Sequence, residues 1–354
     1  MKRYFYTFFV FFLLGMGIGF FLPHPPSRKA TFIWWENLIN ETQAVDWYKN
    51  LQSEFYRHGY ILETQDIHPT EDSTIVIWAC PKIDLSGVSD TQYVVGWLME
   101  SPISLPQPLD EKTEQLFDLI LTYRKDLVNY QKSFFVRIFT RISEINPQYW
   151  ETPKSVLVSQ IASYSTNGAY QERVEASKWF LENVPQDFKL YGNHWNNLKT
   201  RLSPTAQKAL DKRYGGFIED KFQAVSESKF VLAYENAIQS DYVTEKIYDV
   251  LQSGSVPVYL GAPNIDHYVP KNCFIDKNDF KTYKALYTFL KNMDNETYEK
   301  YRQCAYNFVL KKEIKQTEIG HRVARYIFQK KEKDFYDLYY HYKIGIADFF
   351  TTLF

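Results

Sequence analysis

The chain has 354 residues, 45% of them hydrophobic, enough for two domains of ordinary size that each bury a core. Its formal net charge of -1, with no long block of like charge, lacks the basic excess of a nucleic-acid binder and argues against a polyanionic partner. Cys80, Cys273 and Cys304 lie far apart without metal-type spacing, so neither a zinc site nor a disulfide framework is expected.

From the amino end, Lys2 and Arg3 precede a run without charge from Tyr4 to Leu22, close to the roughly 20 apolar residues that cross a bilayer. Pro23, Pro25 and Pro26 follow where a cleaved leader would carry a small-x-small site. Residues 1–22 therefore read as a membrane anchor, with a signal peptide as the rival reading, and residues 23–30 as a linker. Arg28 and Lys29 balance Lys2 and Arg3, so the positive-inside rule leaves the orientation open.

Within residues 31–150, the runs Phe32 to Trp35, Thr74 to Trp78, Tyr93 to Met99 and Leu116 to Tyr123 read as buried strands with polar or helical stretches between them, an α/β pattern. The turn-rich stretch Asn146 to Lys154 ends this unit, and a fresh strand signal follows at Ser155 to Ser159. Residues 151–330 repeat the pattern: helix Tyr170 to Asn183, strand Phe230 to Tyr234, helix Val243 to Ser253, Gly254 where a left-handed C-cap is needed, and strand Val256 to Leu260. Strand, helix, Gly, strand is a βαβ crossover of a parallel sheet. Ligands of such sheets bind beyond the carboxyl ends of the strands, here the loop from Glu235 to Tyr242. A helix opening after Ser240 and Asp241 presents unpaired amides and the positive end of its dipole, an anion site that Lys246 would strengthen. Beyond Lys311 the chain turns basic, and residues 331–354 form an aromatic tail that either lies on a membrane surface or packs on the body.

There is no Walker-type loop, GxGxxG fingerprint, HExxH pair or GxSxG elbow, which weakens ATPase, Rossmann dehydrogenase, zincin and α/β-hydrolase readings. No Asp-x-Asp pair occurs either. A nucleotide diphosphate would have to be held by cationic side chains and backbone amides, so metal-independent binding is expected.

Three blocks carry a resemblance. The main one runs from Phe230 through Tyr234-Glu235-Asn236 and Asp241-Tyr242-Val243-Thr244-Glu245-Lys246 to Gly261-Ala262-Pro263-Asn264; upstream lie Trp97 to Pro102 and Leu121 to Asp126. In order and spacing this resembles the α1,3-fucosyltransferase family, glycosyltransferase family 10, over about Thr31 to Lys315. The resemblance implies a GT-B architecture, two Rossmann-like domains facing across a cleft, with acceptor on residues 31–150 and GDP-fucose on residues 151–330. It makes Glu100 the general base and Asn236, Tyr242, Glu245 and Lys246 donor contacts, Lys246 near the diphosphate and Glu245 near the fucose hydroxyls. Arg173 is the match for the arginine that neutralises the leaving phosphate.

The activity so implied is inverting transfer of L-fucose from GDP-fucose to a glycan hydroxyl, in α1,3 linkage, although some members make α1,4 bonds. No cofactor is required. The implied acceptors are an N-acetyllactosamine-type glycan, an N-glycan core or a surface polysaccharide, with single-pass attachment to a Golgi-type membrane in a eukaryote or the inner membrane in a bacterium. The chemistry asks for the same residue types: positive charge develops on the sugar and negative charge on the β-phosphate, and the attacking hydroxyl needs a base on the opposite face. A carboxylate partly desolvated beside Trp97 and Met99 suits that role. Two other readings stay open, a GT-B transferase using a different nucleotide sugar and a catalytically silent, membrane-tethered glycan-binding protein.

Overall fold

Short apolar runs rich in β-branched and aromatic residues, bounded by turn formers, build two wholly parallel sheets. In the first, β1 (Arg28–Trp34), β2 (Tyr60–Thr64), β3 (Ile75–Ala79), β4 (Tyr93–Leu98), β5 (Leu119–Thr122) and β6 (Ser133–Phe135) lie in the order β2-β1-β3-β4-β5-β6. In the second, β7 (Val156–Ile161), β8 (Phe188–Tyr191), β9 (Ser228–Tyr234), β10 (Val256–Leu260) and β11 (Ile275–Asp276) lie in the order β11-β10-β9-β7-β8. Every residue of β3 and β10 is buried, as expected when helices cover both faces of a parallel sheet. The computed structural model describes residues 27–34, 46–79, 85, 87–101, 111–136, 145–166, 170–312 and 319–334. The expected anchor and most of the aromatic tail lie outside these residues. Among the described residues no helix is long and apolar enough to cross a membrane.

Counted from its own first strand, the second sheet follows the order 2-1-3-4-5 and the first extends it to 2-1-3-4-5-6, the flavodoxin-like winding rather than the 3-2-1-4-5-6 order of a Rossmann sheet. The switch points, where the chain reverses its direction of travel across the sheet, fall between β1 and β3 and between β7 and β9. The α/β class and the two parallel sheets match the expectation.

Several details differ from the sequence reading. β1 already begins at Arg28, three residues inside the expected linker, because Arg28 to Phe32 find partners in Tyr60 to Thr64 of β2. The short strands β2, β6, β8 and β11 carry mixed polar residues and take strand geometry from their neighbours rather than from a legible apolar run. Ile145 and Trp150 pack on the core around Val250 and Phe308, and Arg302 ties Trp150 to Gly254 through their carbonyls. The stretch 145–150 thus joins the second unit.

Helix 319–334 does the reverse. Val323, Ala324, Ile327 and Phe328 fill the core of the first sheet together with Phe32, Leu51 and Phe55, so a segment assigned by position to residues 151–330 closes the first domain. Turn signals mark where a chain bends; which sheet a later helix covers is decided by the apolar face left open. One further correction concerns the cysteines. Cys273 and Cys304, 31 residues apart, form a disulfide with Cα atoms 5.0 Å apart. The pairing arises because the helix Asn295–Lys312 lies across the turn Lys271–Cys273, a contact that spacing does not reveal.

Candidate active site

The site begins at the carboxyl end of β9. After Tyr234 the chain leaves the sheet at Glu235, whose amide still donates to Leu260 O at 2.8 Å. The Glu235 carboxyl is fully buried and caps the next helix: Oε1 accepts from Thr244 N at 2.8 Å and Oε2 from Thr244 Oγ1 at 2.7 Å. Gly261 permits this, since a Cβ there would lie 2.5 Å from Glu235 Cγ. The helix therefore runs over Glu245–Gln252, with Thr244 as N-cap and Gly254 at φ 71° behind its end. It starts two residues later than expected. Its Thr244 amide is spent on a buried carboxylate rather than left open to an anion, and Ser240 and Asp241 belong to the preceding turn.

Lys246 folds back over this cap. Its Nζ donates to Thr244 Oγ1 at 2.8 Å and lies 3.3 Å from Glu245 Oε1 and 3.4 Å from Glu235 Oε2. Burial alone would lower the ammonium's pKa, but the charges of Glu245 and Glu235 outweigh it and hold it above its ordinary value. Burial raises the Glu235 carboxyl against the pull of Lys246. Desolvation also acts to raise Glu245, but Lys246 and Lys221 reverse the balance and hold its carboxyl at about 2.

Arg173 comes from the helix Tyr170–Asn183, which follows β7, and is itself buried. Its Nε donates to Tyr234 O at 2.9 Å, Nη2 reaches the same carbonyl, and Nη2 also donates to Asn236 Oδ1 at 2.7 Å. Nη1 has no hydrogen-bond partner among the described residues. Arg173 on the β7 side and Asn236 on the β9 side thus flank the switch point, where doubly wound sheets bind ligands. Burial pulls the guanidinium down from its ordinary range, opposed by Glu235, Tyr170, Glu245 and Tyr242, charges close enough to be felt.

The first sheet faces this loop. Glu100 follows β4 and is half-buried, and the described part of that turn ends at Ser101. Tyr123 follows β5; its ring lies 5.4 Å from that of Tyr242, and the two form a buried cluster with Ala237. The Tyr123 hydroxyl donates to Gln239 Oε1 at 3.0 Å and lies 3.4 Å from the Glu100 carbonyl oxygen. The Tyr242 phenol is pushed up by burial and further by the negative charges of Glu100, Glu235 and Glu245. Glu100 is thus close enough to the loop for its charge to act on Tyr242, while Arg173 meets Asn236 and Lys246 meets Glu235 and Glu245 within the second domain. Sequence reasoning gave no role to Thr244 or Tyr123, and took Glu235 only as the start of a ligand-binding loop and Asp241 only as the residue before its helix. The signal available was Glu235 itself, a carboxylate directly after an apolar strand and nine residues before a Thr able to receive it. Among the described residues no cluster of His, Cys, Asp or Glu has the makings of a metal site.

Two parallel doubly wound sheets, with the carboxyl ends of β4 and β5 turned toward that of β9, define a GT-B fold, the architecture of a class of nucleotide-sugar transferases. The fold is shared with a crystal structure of an alpha1,3-fucosyltransferase, 17% identical with a TM-score of 0.51 and covering 82% of each chain. It is also shared with an alpha-glucosyltransferase in complex with UDP and a 13-mer DNA, 12% identical with a TM-score of 0.52, covering 86% of this chain and 100% of that one. The description Glycosyltransferase family 10 (fucosyltransferase) C-term matches residues 161–338, and the chain belongs to that family. A mouse protein, 4-galactosyl-N-acetylglucosaminide 3-alpha-L-fucosyltransferase 9, is 31% identical over 213 residues, 58% of this chain and 51% of its own length. The chain spans about half the length of the curated relatives it matches.

Proposed function

We propose that this chain transfers L-fucose from GDP-fucose to a glycan hydroxyl with inversion, in α1,3 linkage, Glu100 acting as general base. The observation that carries this reading is that one loop meets both signs of charge: Tyr242 feels the Glu100 carboxylate of the first domain, and the second domain brings the cations Arg173 and Lys246 to the same loop. In a single displacement the acceptor oxygen attacks the anomeric carbon as the bond to the β-phosphate breaks. GDP leaves with the bonding pair, and the hydroxyl proton passes to Glu100. Arg173 and Lys246 stabilise the charge growing on the phosphate, doing without a metal what Asp-x-Asp enzymes do with one. Glu245, ionised at neutral pH, is the hydrogen-bond acceptor for the fucose hydroxyls. Asn236 and Tyr242 complete the donor contacts.

The acceptor is proposed from the mouse relative's name as a galactosyl-N-acetylglucosaminide, the lactosamine-type glycan; an N-glycan core and a surface polysaccharide are the other acceptors to be tried. Attachment to a membrane through residues 1–22 belongs to the same reading. The Cys273–Cys304 disulfide supports a catalytic domain on the oxidising, lumenal side.

Radiolabelled donors tested across these acceptors, with chelator present, decide the matter. Transfer from GDP-fucose to lactosamine, undiminished by chelator, is expected. Equal or better use of GDP-mannose or a UDP-sugar refutes the donor, a requirement for added metal refutes the cation-only site, and glycan binding without GDP binding indicates a silent lectin-like protein.

A further inference from the structure

Asp241 has φ 66°, in the left-handed region that side chains other than those of Asn and Asp rarely occupy. Its hydrogen bonds show what this backbone achieves. Oδ1 collects three donors, Tyr268 OH at 2.6 Å, Lys125 Nζ at 2.8 Å and Asn264 Nδ2 at 2.9 Å, while the Asp241 amide donates to Asn264 Oδ1 at 2.9 Å. Tyr268 and Asn264 belong to the same domain as Asp241. Lys125 does not: it opens the turn Lys125–Leu127 directly after Arg124, at the carboxyl end of β5 in the first sheet. Its ammonium also lies over the rings of Phe135, 5.2 Å away, and Tyr268, 5.7 Å away. Two residues earlier on the same loop, the Tyr123 ring packs at a tilt against that of Tyr242, and its hydroxyl reaches both Gln239 and the Glu100 backbone. One short segment of the first domain therefore grips the second at Gln239, Asp241 and Tyr242, and touches the backbone of Glu100, the residue that carries the first domain's own carboxylate.

We propose that the Lys125–Asp241 ion pair is an inter-domain latch that positions Glu100 over the donor loop. Asp241 is buried, whereas the Lys125 side chain is half exposed, so the lysine is the partner free to depart. The latch is placed to act on turnover rather than on nucleotide affinity, because Arg173, Asn236, Glu245 and Lys246 all sit on the Asp241 side of it. Releasing Lys125 separates the carboxylate of the first sheet from the donor and loosens the loop that carries Tyr242, while Arg173, Asn236, Glu245 and Lys246 keep their own partners within the second domain. This rests on the transfer reading above for its kinetic consequence only; the mechanical one is independent.

The test uses the full chain. Lys125→Met keeps the aliphatic stem and removes the charge, and Asp241→Asn keeps a residue that tolerates the left-handed backbone and removes the other charge. Each is expected to lower kcat about tenfold, the scale of a charge-assisted hydrogen bond, and to leave the Kd for GDP within about twofold. Lys125→Arg should restore most of the turnover, and the double variant should be no slower than the slower single one, as coupled partners require. Amide hydrogen exchange at residues 237–243 should accelerate in Lys125→Met while exchange in β7 and β9 stays as in the parent protein. GDP affinity falling in step with turnover, additive losses in the double variant, or unaltered exchange at 237–243 would each overturn the latch. Were the parent protein to transfer no fucose at all, the transfer reading would fail, and the exchange measurement would still decide the latch.

Discussion

Glu100 and Glu235 are both carboxylates placed just beyond the carboxyl end of a buried parallel strand, yet their surroundings differ completely. Glu235 is sealed from solvent, accepts a hydrogen bond at each oxygen from the Thr244 amide and hydroxyl, and is neighboured by Lys246. Glu100 is half-buried at the edge where the two sheets meet, its backbone carbonyl near the Tyr123 hydroxyl. A carboxylate that builds structure is buried against donors of its own domain. One that must take a proton keeps access to solvent and substrate. The comparison predicts that removing the first damages the fold, and removing the second damages only the reaction.

The largest effect should come from Glu100→Gln, a loss of about 10²–10⁴ in turnover, the usual cost of deleting a general base, with GDP affinity and thermal stability unchanged. Turnover within tenfold of the parent would remove Glu100 from the mechanism. Glu235→Ala should behave oppositely. Leaving Lys246 and the Thr244 amide without their buried partner is expected to cost about 3–5 kcal/mol of unfolding free energy, read from urea titrations. A cost below about 1 kcal/mol would mean the cap is dispensable and the contrast with Glu100 is empty.

Lys246→Ala lies between these two. If its ammonium serves the diphosphate, calorimetry should show GDP binding weakened by about 1.5–3 kcal/mol, the worth of a hydrogen bond to a charged group. Unchanged affinity would assign Lys246 to the Glu235 network alone.

The smallest effect concerns pH. Asp249 on the helix Glu245–Gln252 is buried 2.5 Å from Lys221 Nζ, and desolvation pushes its carboxyl from 3.8 up to about 6. Folding therefore takes up a proton between pH 3.8 and about 6, and this group's contribution to stability falls as pH rises through that window. Asp249→Asn should flatten the decline relative to the parent protein in denaturant titrations; parallel curves would show that burial exerts no such strain on that helix.

The strands with continuous apolar runs, β3, β4, β9 and β10, and the helix Tyr170–Asn183 were legible because their burial is written locally, in residue type and period. The loop after β9 was legible too, since Asn236, Tyr242, Glu245 and Lys246 lie within a dozen residues and a strand-loop-helix unit brings such neighbours together whatever the rest of the chain does. Arg173 reaches that loop from 61 residues upstream of the Tyr234 carbonyl it binds, and the match of motifs, not the pattern around it, put it there.

By itself, then, the sequence determined the α/β class, the βαβ crossover with Gly254 behind its helix, and the nearness of Asn236, Tyr242, Glu245 and Lys246 to one another, because contacts within one supersecondary unit depend on local period and turn chemistry. Only the tertiary structure decided that Glu235 caps the helix it precedes, that Cys273 meets Cys304, that helix 319–334 returns to the first sheet, and that Lys125 reaches Asp241. Each of those pairings joins groups whose mutual distance is set by how apolar faces and sheet ends come to be covered. That is a property of the whole packed chain, carried by no single stretch of it.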